Sequence, residues 1–307
     1  YMAGIETNWQ DLVYQQGIQQ DYTASISNKT DNLNYYFSLN HVDREGFVVG
    51  NRFKNFRTRM NLESKITNFL KVGTNANFAT RNEGFLPADW RQSAVVPPYG
   101  SNNIDDLTSL YRRLPTGDVT PVNPLFDNLY RDRIDRFNTL NATIYGIITL
   151  PFGFEIQSNF TPSLRWREYY NHESSENPEW SASGGRAERR FERTYNWQMD
   201  NVLRWKKTFG DHNFEATFLQ NAEKGQSWMT KATASNFSPS DILEWHRIQA
   251  GTVPLNESND TYYTGDALMG RLFYSYKDKY LLTASVRRDG YSAFGGENPR
   301  ATFPALA

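Results

Sequence analysis

The sequence has no cysteine in its 307 residues, which excludes a disulfide framework, a thiolate nucleophile and Cys-ligated zinc. Neither sign of charge dominates. Lys and Arg number 33 against 34 Asp and Glu, a net charge of -1, so nothing in the composition draws the chain to nucleic acid and no nucleic-acid partner is expected. No apolar run approaches the roughly 18 residues that a membrane helix requires. Histidine is scarce: His41, His172, His212 and His246 are scattered, none at a metal-ligand spacing from another, and each reads as a polar surface side chain on a strand end, turn or loop. No Gly-x-Ser-x-Gly elbow, phosphate-cradling loop or Ser/His/Asp arrangement stands out, and Ser183-Gly184-Gly185 and Gly295-Gly296 read as loop glycines. The oxygen-rich stretch from Asn256 to Asp260 lacks calcium-loop spacing. These absences point away from an enzyme, and no catalytic residue, metal or cofactor is assigned.

What the chain does have is aromatic side chains: 18 Tyr, 20 Phe and 8 Trp, 15% of all residues. They sit in a sequence whose mean hydropathy is only -0.70. A soluble core is normally aliphatic. A membrane β-barrel instead needs aromatic girdles at two interfaces and a polar lumen, a combination that gives a hydrophilic average.

Period-two alternation runs through the chain. Leu33, Tyr35, Phe37 and Leu39 share one strand face, while Asn34, Tyr36, Ser38 and Asn40 share the other. In 56–66, Phe56, Met60, Leu62 and Ile66 oppose Arg57, Arg59, Asn61, Glu63 and Lys65. The segments 70–78, 140–150, 154–166 and 195–205 repeat the pattern, and 18–28, 214–223, 268–276 and 280–287 show it more weakly. The result is about ten strands, several near the 9 to 11 residues with which a tilted strand crosses a bilayer.

Connection lengths alternate as well. The segments 28–32, 67–69, 151–153, 206–212 and 277–279 are short, whereas 43–52, 81–136, 167–193 and 224–267 are long. In an antiparallel meander this puts every short turn at one end and every long loop at the other, as in an outer-membrane barrel with short periplasmic turns and long extracellular loops. The fold expected is all-β, an antiparallel transmembrane β-barrel. A soluble β-sandwich, for example a secreted glycan-binding module, is the alternative, but it offers no rule for which connections are long. Within 81–136, Pro97-Pro98 and residues 104–113 suggest a short helix.

Particular motifs carry a resemblance. Trp9-Gln10-Asp11, the span FSLNHVDREGFVVGNRFKNFRTRMNLE from Phe37 to Glu63, YKDKYLLTASVRRDGYSAFG from Tyr276 to Gly295, and the final ATFPALA resemble the barrel of SusC/RagA-type TonB-dependent transporters of Bacteroidetes outer membranes. The resemblance implies a barrel of about 22 strands, filled by an N-terminal plug and importing a bulky nutrient, a glycan oligomer or a peptide, with energy from TonB. It also implies a SusD-like surface lipoprotein over the mouth. Against that pattern residues 1–307 read as a partial barrel domain, with the plug, TonB box and further strands outside it. An outer-membrane adhesin or protease barrel is a further alternative.

Candidate binding residues are the aromatics of the long segments: Trp90, Tyr99 and Tyr111 in 81–136, Trp180 in 167–193, and Trp228 and Trp245 in 224–267. Flat rings stack on sugars or peptide side chains, and they equally pack loop on loop. The basic cluster Arg186, Arg189, Arg190 and Arg193 reads first as a solvated loop segment balanced by Glu188 and Glu192, and its functional reading is pairing with lipopolysaccharide phosphates or with an acidic lid protein; outer-membrane lipid and lipopolysaccharide are expected partners of such a barrel.

Overall fold

A computed structural model describes residues 7–96, 98, 111–113, 119–176, 178–296 and 299–307. The alternating stretches become strands β1 (Ile18–Lys29), β2 (Leu33–Glu45), β3 (Arg52–Lys65), β4 (Leu70–Asn82), β7 (Arg131–Thr149), β8 (Phe154–Glu173), β9 (Arg186–Phe209), β10 (His212–Phe237), β11 (Gly251–Tyr276) and β12 (Tyr280–Tyr291). With β13 (Arg300–Leu306) they form an 11-stranded antiparallel sheet in chain order, and β5 (Tyr111–Arg113) pairs with β6 (Val119–Val122) in a separate ribbon. β13 goes beyond the ten strands that alternation shows. Pro304 interrupts its pattern, and it borders β12 at a sheet edge, where a missing N–H is tolerated.

Register carries one face across the sheet. Thr74 lies opposite Ile144, Ile144 opposite Phe160, Phe160 opposite Met199 and Met199 opposite Ala222, so an apolar row crosses these strands. Exposed Ile26, Phe37, Met60, Leu62, Ile144, Phe218 and Leu272 lie on this outer face. Aromatics bracket it. Phe154 and Trp205 face each other at the short-turn end with centroids 6.3 Å apart, and Phe214 meets Tyr274 at 5.0 Å. At the other end Trp166, Arg193 and Trp228 stand in one row. The twelve-residue step from Phe154 to Trp166 covers about 40 Å along β8, which at a tilt of about 45° is about 28 Å of depth, a hydrocarbon thickness.

A polar row interrupts the apolar face and satisfies itself. The Ser158 hydroxyl donates to Asn201 Oδ1 at 2.7 Å, and Asn201 Nδ2 donates to Gln220 Oε1 at 2.7 Å. In hydrocarbon such groups persist only when they bond to one another.

The connections segregate. Residues 30–32, 66–69, 150–153, 210–211 and 277–279 turn at one end, and 46–51, 83–130, 174–185, 238–250 and 292–299 at the other. The tight turn after β11 has Lys277 and Asp278 both at positive φ, 51° and 52°, as a type I′ hairpin requires. Asp278 holds that shape by accepting from the Ser275 hydroxyl and from Asn213 Nδ2, each at 3.2 Å.

The long connections are shorter than the sequence implies. β8 runs on to Glu173, β9 starts at Arg186, β10 reaches Phe237 and β11 begins at Gly251. Much of 167–193 and 224–267 is therefore strand, with β9, β10 and β11 24, 26 and 26 residues long. Beyond the bilayer both faces meet water, so alternation fades while the backbone ladder continues. The short helix expected over 104–113 is a correction in part: Tyr111 to Arg113 form strand β5, and the remainder lies outside the described residues.

Two glycines let inner-face rings lie flat against the backbone. Tyr145, the β7 partner of Gly73, covers it so closely that a Cβ there would sit 2.3 Å from Tyr145 Cζ, and Tyr263 covers Gly225 in the same way. This is an aromatic packed over a strand glycine. In the full-length protein, Gly73→Val is expected to cost about 1–3 kcal/mol by overpacking. Gly146→Val, on the outer face with nothing within 4 Å of a built Cβ, is expected to cost far less; urea unfolding in liposomes compares them.

Candidate functional site: the polar inner face and the extracellular rim

The face opposite the apolar one carries the polar side chains, and they pair from strand to strand. Ser163 Oγ donates to Asn141 Oδ1 at 2.6 Å, and Asn141 Nδ2 points to Asn77 Oδ1 at 3.4 Å. Tyr145 donates to Glu63 at 2.9 Å, and Arg204 Nη1 reaches Glu155 at 2.9 Å and Gln157 at 3.0 Å. Nearer β1, a groove of about 450 Å³ is lined in part by Asp21, Asn40, Arg44, Arg57 and Arg59. Arg57 and Arg59 are exposed and have no carboxylate partner among the described residues, which leaves two cations on the inner face for whatever fills it.

Toward the long-loop end the inner face becomes a cation–aromatic cluster. Arg167 grips Asp135 with two bonds of 2.7 and 2.8 Å, and its guanidinium lies 4.8 Å from the Phe137 ring, where Arg81 stands at the same distance. Tyr169 is a second ring under Arg167, at 5.2 Å. Sequence reasoning missed this cluster. Its members are scattered along the chain, and only the ladder of β4, β7 and β8 unites them.

The six aromatics singled out from sequence do not form one site. Trp90 opens the short helix Trp90–Ser93 between β4 and β7, and it is 50% exposed. Tyr99 lies outside the described residues, and Tyr111 stands on β5 opposite Val122. Trp180 belongs to the short helix Pro178–Ser181, half-buried beneath the Arg186 guanidinium at 5.7 Å. Trp228 is on β10, not in a loop: it sits on the outer face in the extracellular aromatic row, with Arg193 4.3 Å from its ring. The basic cluster is likewise on strand β9, where Arg189 stacks at 5.1 Å on Tyr170.

Trp245 is buried. Connection 238–250 folds down onto the outer face of the strand extensions, stacking Trp245 on Tyr170 with centroids 6.2 Å apart and packing it with Ala187, Ala234 and Phe237. The same connection brings Asp241 to His172, with 3.0 Å from Nε2 to Oδ2, and Asp241 also accepts from the Ser175 backbone N–H at 2.6 Å and hydroxyl at 2.9 Å. Burial works to raise the pKa of Asp241, but these bonds outweigh it and hold the carboxyl below its ordinary value. His172, expected at a polar surface, is therefore buried. The loop covering it lies about 70 residues away in the chain, beyond any local pattern.

No family model matches the chain. TonB-dependent receptor P3 of Formosa agariphila is 26% identical over 325 residues, a match covering 100% of this chain and 32% of that protein. TonB-dependent receptor SusC of Bacteroides thetaiotaomicron is 25% identical over 351 residues, again covering 100% of this chain and 32% of the relative. Among solved structures, the RagAB peptide importer in its open-open state superposes with a TM-score of 0.83 at 21% identity, over 98% of this chain and 34% of that one. The chain resembles, in sequence and in fold, the barrel of SusC/RagA-type TonB-dependent receptors. The ferric citrate transporter FecA shares the fold more distantly, with a TM-score of 0.55 at 7% identity. The chain spans about a third of the length of the curated relatives it matches, and these are receptors, not enzymes. In this outer-membrane barrel fold the apolar outer face is the lipid side, the short turns are periplasmic and the long connections extracellular.

Proposed function

We propose that the full protein imports a bulky nutrient, a glycan oligomer or a peptide, through the outer membrane as the channel subunit of a complex with a SusD-like surface lipoprotein, energised through TonB. The observation that carries this reading is the sheet itself: a polar, cation-bearing inner face backed by a lipid-matched outer one, with every long connection at one end. The similarity to TonB-dependent receptors and to a peptide importer supports the reading. Strands β1 and β13 each pair on one side only among the described residues. Open edges in hydrocarbon leave backbone groups unsatisfied, which favours further strands that close the barrel. In such a barrel Arg57 and Arg59 would meet a plug, and Trp90 is the aromatic most open to a ligand or to a lid at the mouth. The Arg193 and Trp228 pair would sit against outer-leaflet lipopolysaccharide.

The test is purification of the full-length protein from outer membranes in detergent, followed by mass spectrometry of the intact species and of whatever accompanies it. The expected result is a detergent-dependent polypeptide far heavier than the 35.6 kDa of these residues, with a surface lipoprotein and retained oligosaccharide or peptide. A particle that stays monodisperse without detergent would overturn the proposal. So would a full-length protein without plug sequence or lipoprotein, which would favour an adhesin.

A further inference from the structure

Where connection 238–250 meets the outer wall above the membrane, three ligand-bearing side chains converge. One ligand atom from each of Asp132 on β7, His172 on β8 and Glu244 in the connection lies within 4.8 Å of the other two. The His172 side chain is 7% exposed. Its Nε2 is engaged by Asp241, so its Nδ1 is the atom turned toward Glu244, at 4.0 Å from Oε1, too far for a hydrogen bond. No hydrogen bond reaches Nδ1 among the described residues.

The chemistry follows from that one bond. In the tautomer that donates from Nε2 to the ionised Asp241, Nδ1 carries a lone pair. With the exposed Asp132 and the half-buried Glu244 carboxyls beside it, that nitrogen completes a set of one nitrogen and two oxygen donors that a cation can bridge. The carboxylate that orients a metal-binding imidazole is also already present, since Asp241 is fixed by Ser175.

We propose that Asp132, His172 and Glu244 bind a divalent transition cation, zinc foremost, with Asp241 orienting the imidazole. One nitrogen and two carboxylate oxygens are zinc ligands, and they leave one tetrahedral position for water. Ligand atoms about 2.1 Å from zinc stand about 3.4 Å apart, so the cluster closes by roughly an ångström on binding. The cation joins β7 and β8 to connection 238–250, pinning that connection to the wall beside Trp245. Its role is structural.

The experiment uses the full-length protein in detergent, stripped with a chelator and titrated with Zn²⁺, or with Co²⁺ for its visible absorption. The parent is expected to bind one equivalent more than Asp132→Asn, Glu244→Gln or His172→Ala, with a tetrahedral Co²⁺ spectrum that the variants lack. Asp241→Asn is expected to weaken binding about 10- to 100-fold. Zn²⁺ should also slow tryptic cleavage after Arg247 in the parent alone. The two amide variants conserve shape, and heat-modifiable migration on gels confirms that each barrel has folded. Equal stoichiometry in parent and variants, or no binding at micromolar Zn²⁺, overturns the site and leaves a shared proton as the link.

Discussion

Arginine at Ile144 is expected to cost the full-length barrel about 2–4 kcal/mol in bilayers, and arginine at Asn141 far less. Ile144 is 54% exposed on the outer face, and its partner Phe160 lies midway along β8 between Phe154 and Trp166. A guanidinium there stands at the hydrocarbon midplane, where no water reaches it without thinning the membrane. Asn141 is three residues away on the same strand and faces inward, bonded to Ser163 and Asn77. Its replacement loses those bonds, but the new charge enters a polar lumen that already accommodates Arg57, Arg59 and Arg204. Urea titration of both variants refolded into liposomes is the check, and equal costs would mean that the two faces are wrongly assigned.

The contrast between these neighbours explains how much of the fold is legible in the sequence. Within the bilayer one face must be apolar and the other need not be, so Leu62 against Glu63 or Ile144 against Asn141 prints a period of two. Turn ends are legible for the same reason, because aromatics such as Tyr274 and Tyr280 mark the interface on either side of Lys277 and Asp278. Above the membrane that constraint disappears. β11 from Thr252 to Tyr262 is exposed on both faces and held by its ladder with β10, so residues read as loop are strand. The consequence reaches the candidate site: Trp228, placed in a loop by its polar surroundings, belongs to a wall.

The site is less legible than the fold because its parts meet only through long-range register. Arg81, Phe137 and Arg167 share a cluster across three strands, and no spacing along the chain announces it. His172 looks like a surface histidine because the residues that bury it arrive with a later connection. Trp90 alone among the described aromatics singled out from sequence lies in a long connection and is exposed.

Trp245→Ala is expected to release connection 238–250 while the barrel stays folded. Removing a buried tryptophan costs about 3–5 kcal/mol. Trp245 is 7% exposed and stacks on Tyr170 among Ala187, Ala234 and Phe237, so the void cannot be filled by sliding one neighbour. The loss falls on the connection, because the strands beneath keep their own hydrogen bonds from Arg186 to Ser235. Exposed Arg247 then reports the opening. Trypsin cleaves after it only when the segment lifts, and at about 1.4 kcal/mol per tenfold a 3 kcal/mol loss raises the cleavage rate about 100-fold. Heat-modifiable migration of the uncut barrel should be unchanged. Cleavage at the parent rate would mean that Asp241 and its bonds to Ser175 and His172 hold the connection without the ring, whereas loss of the folded barrel would mean that the docked connection stabilises the wall itself.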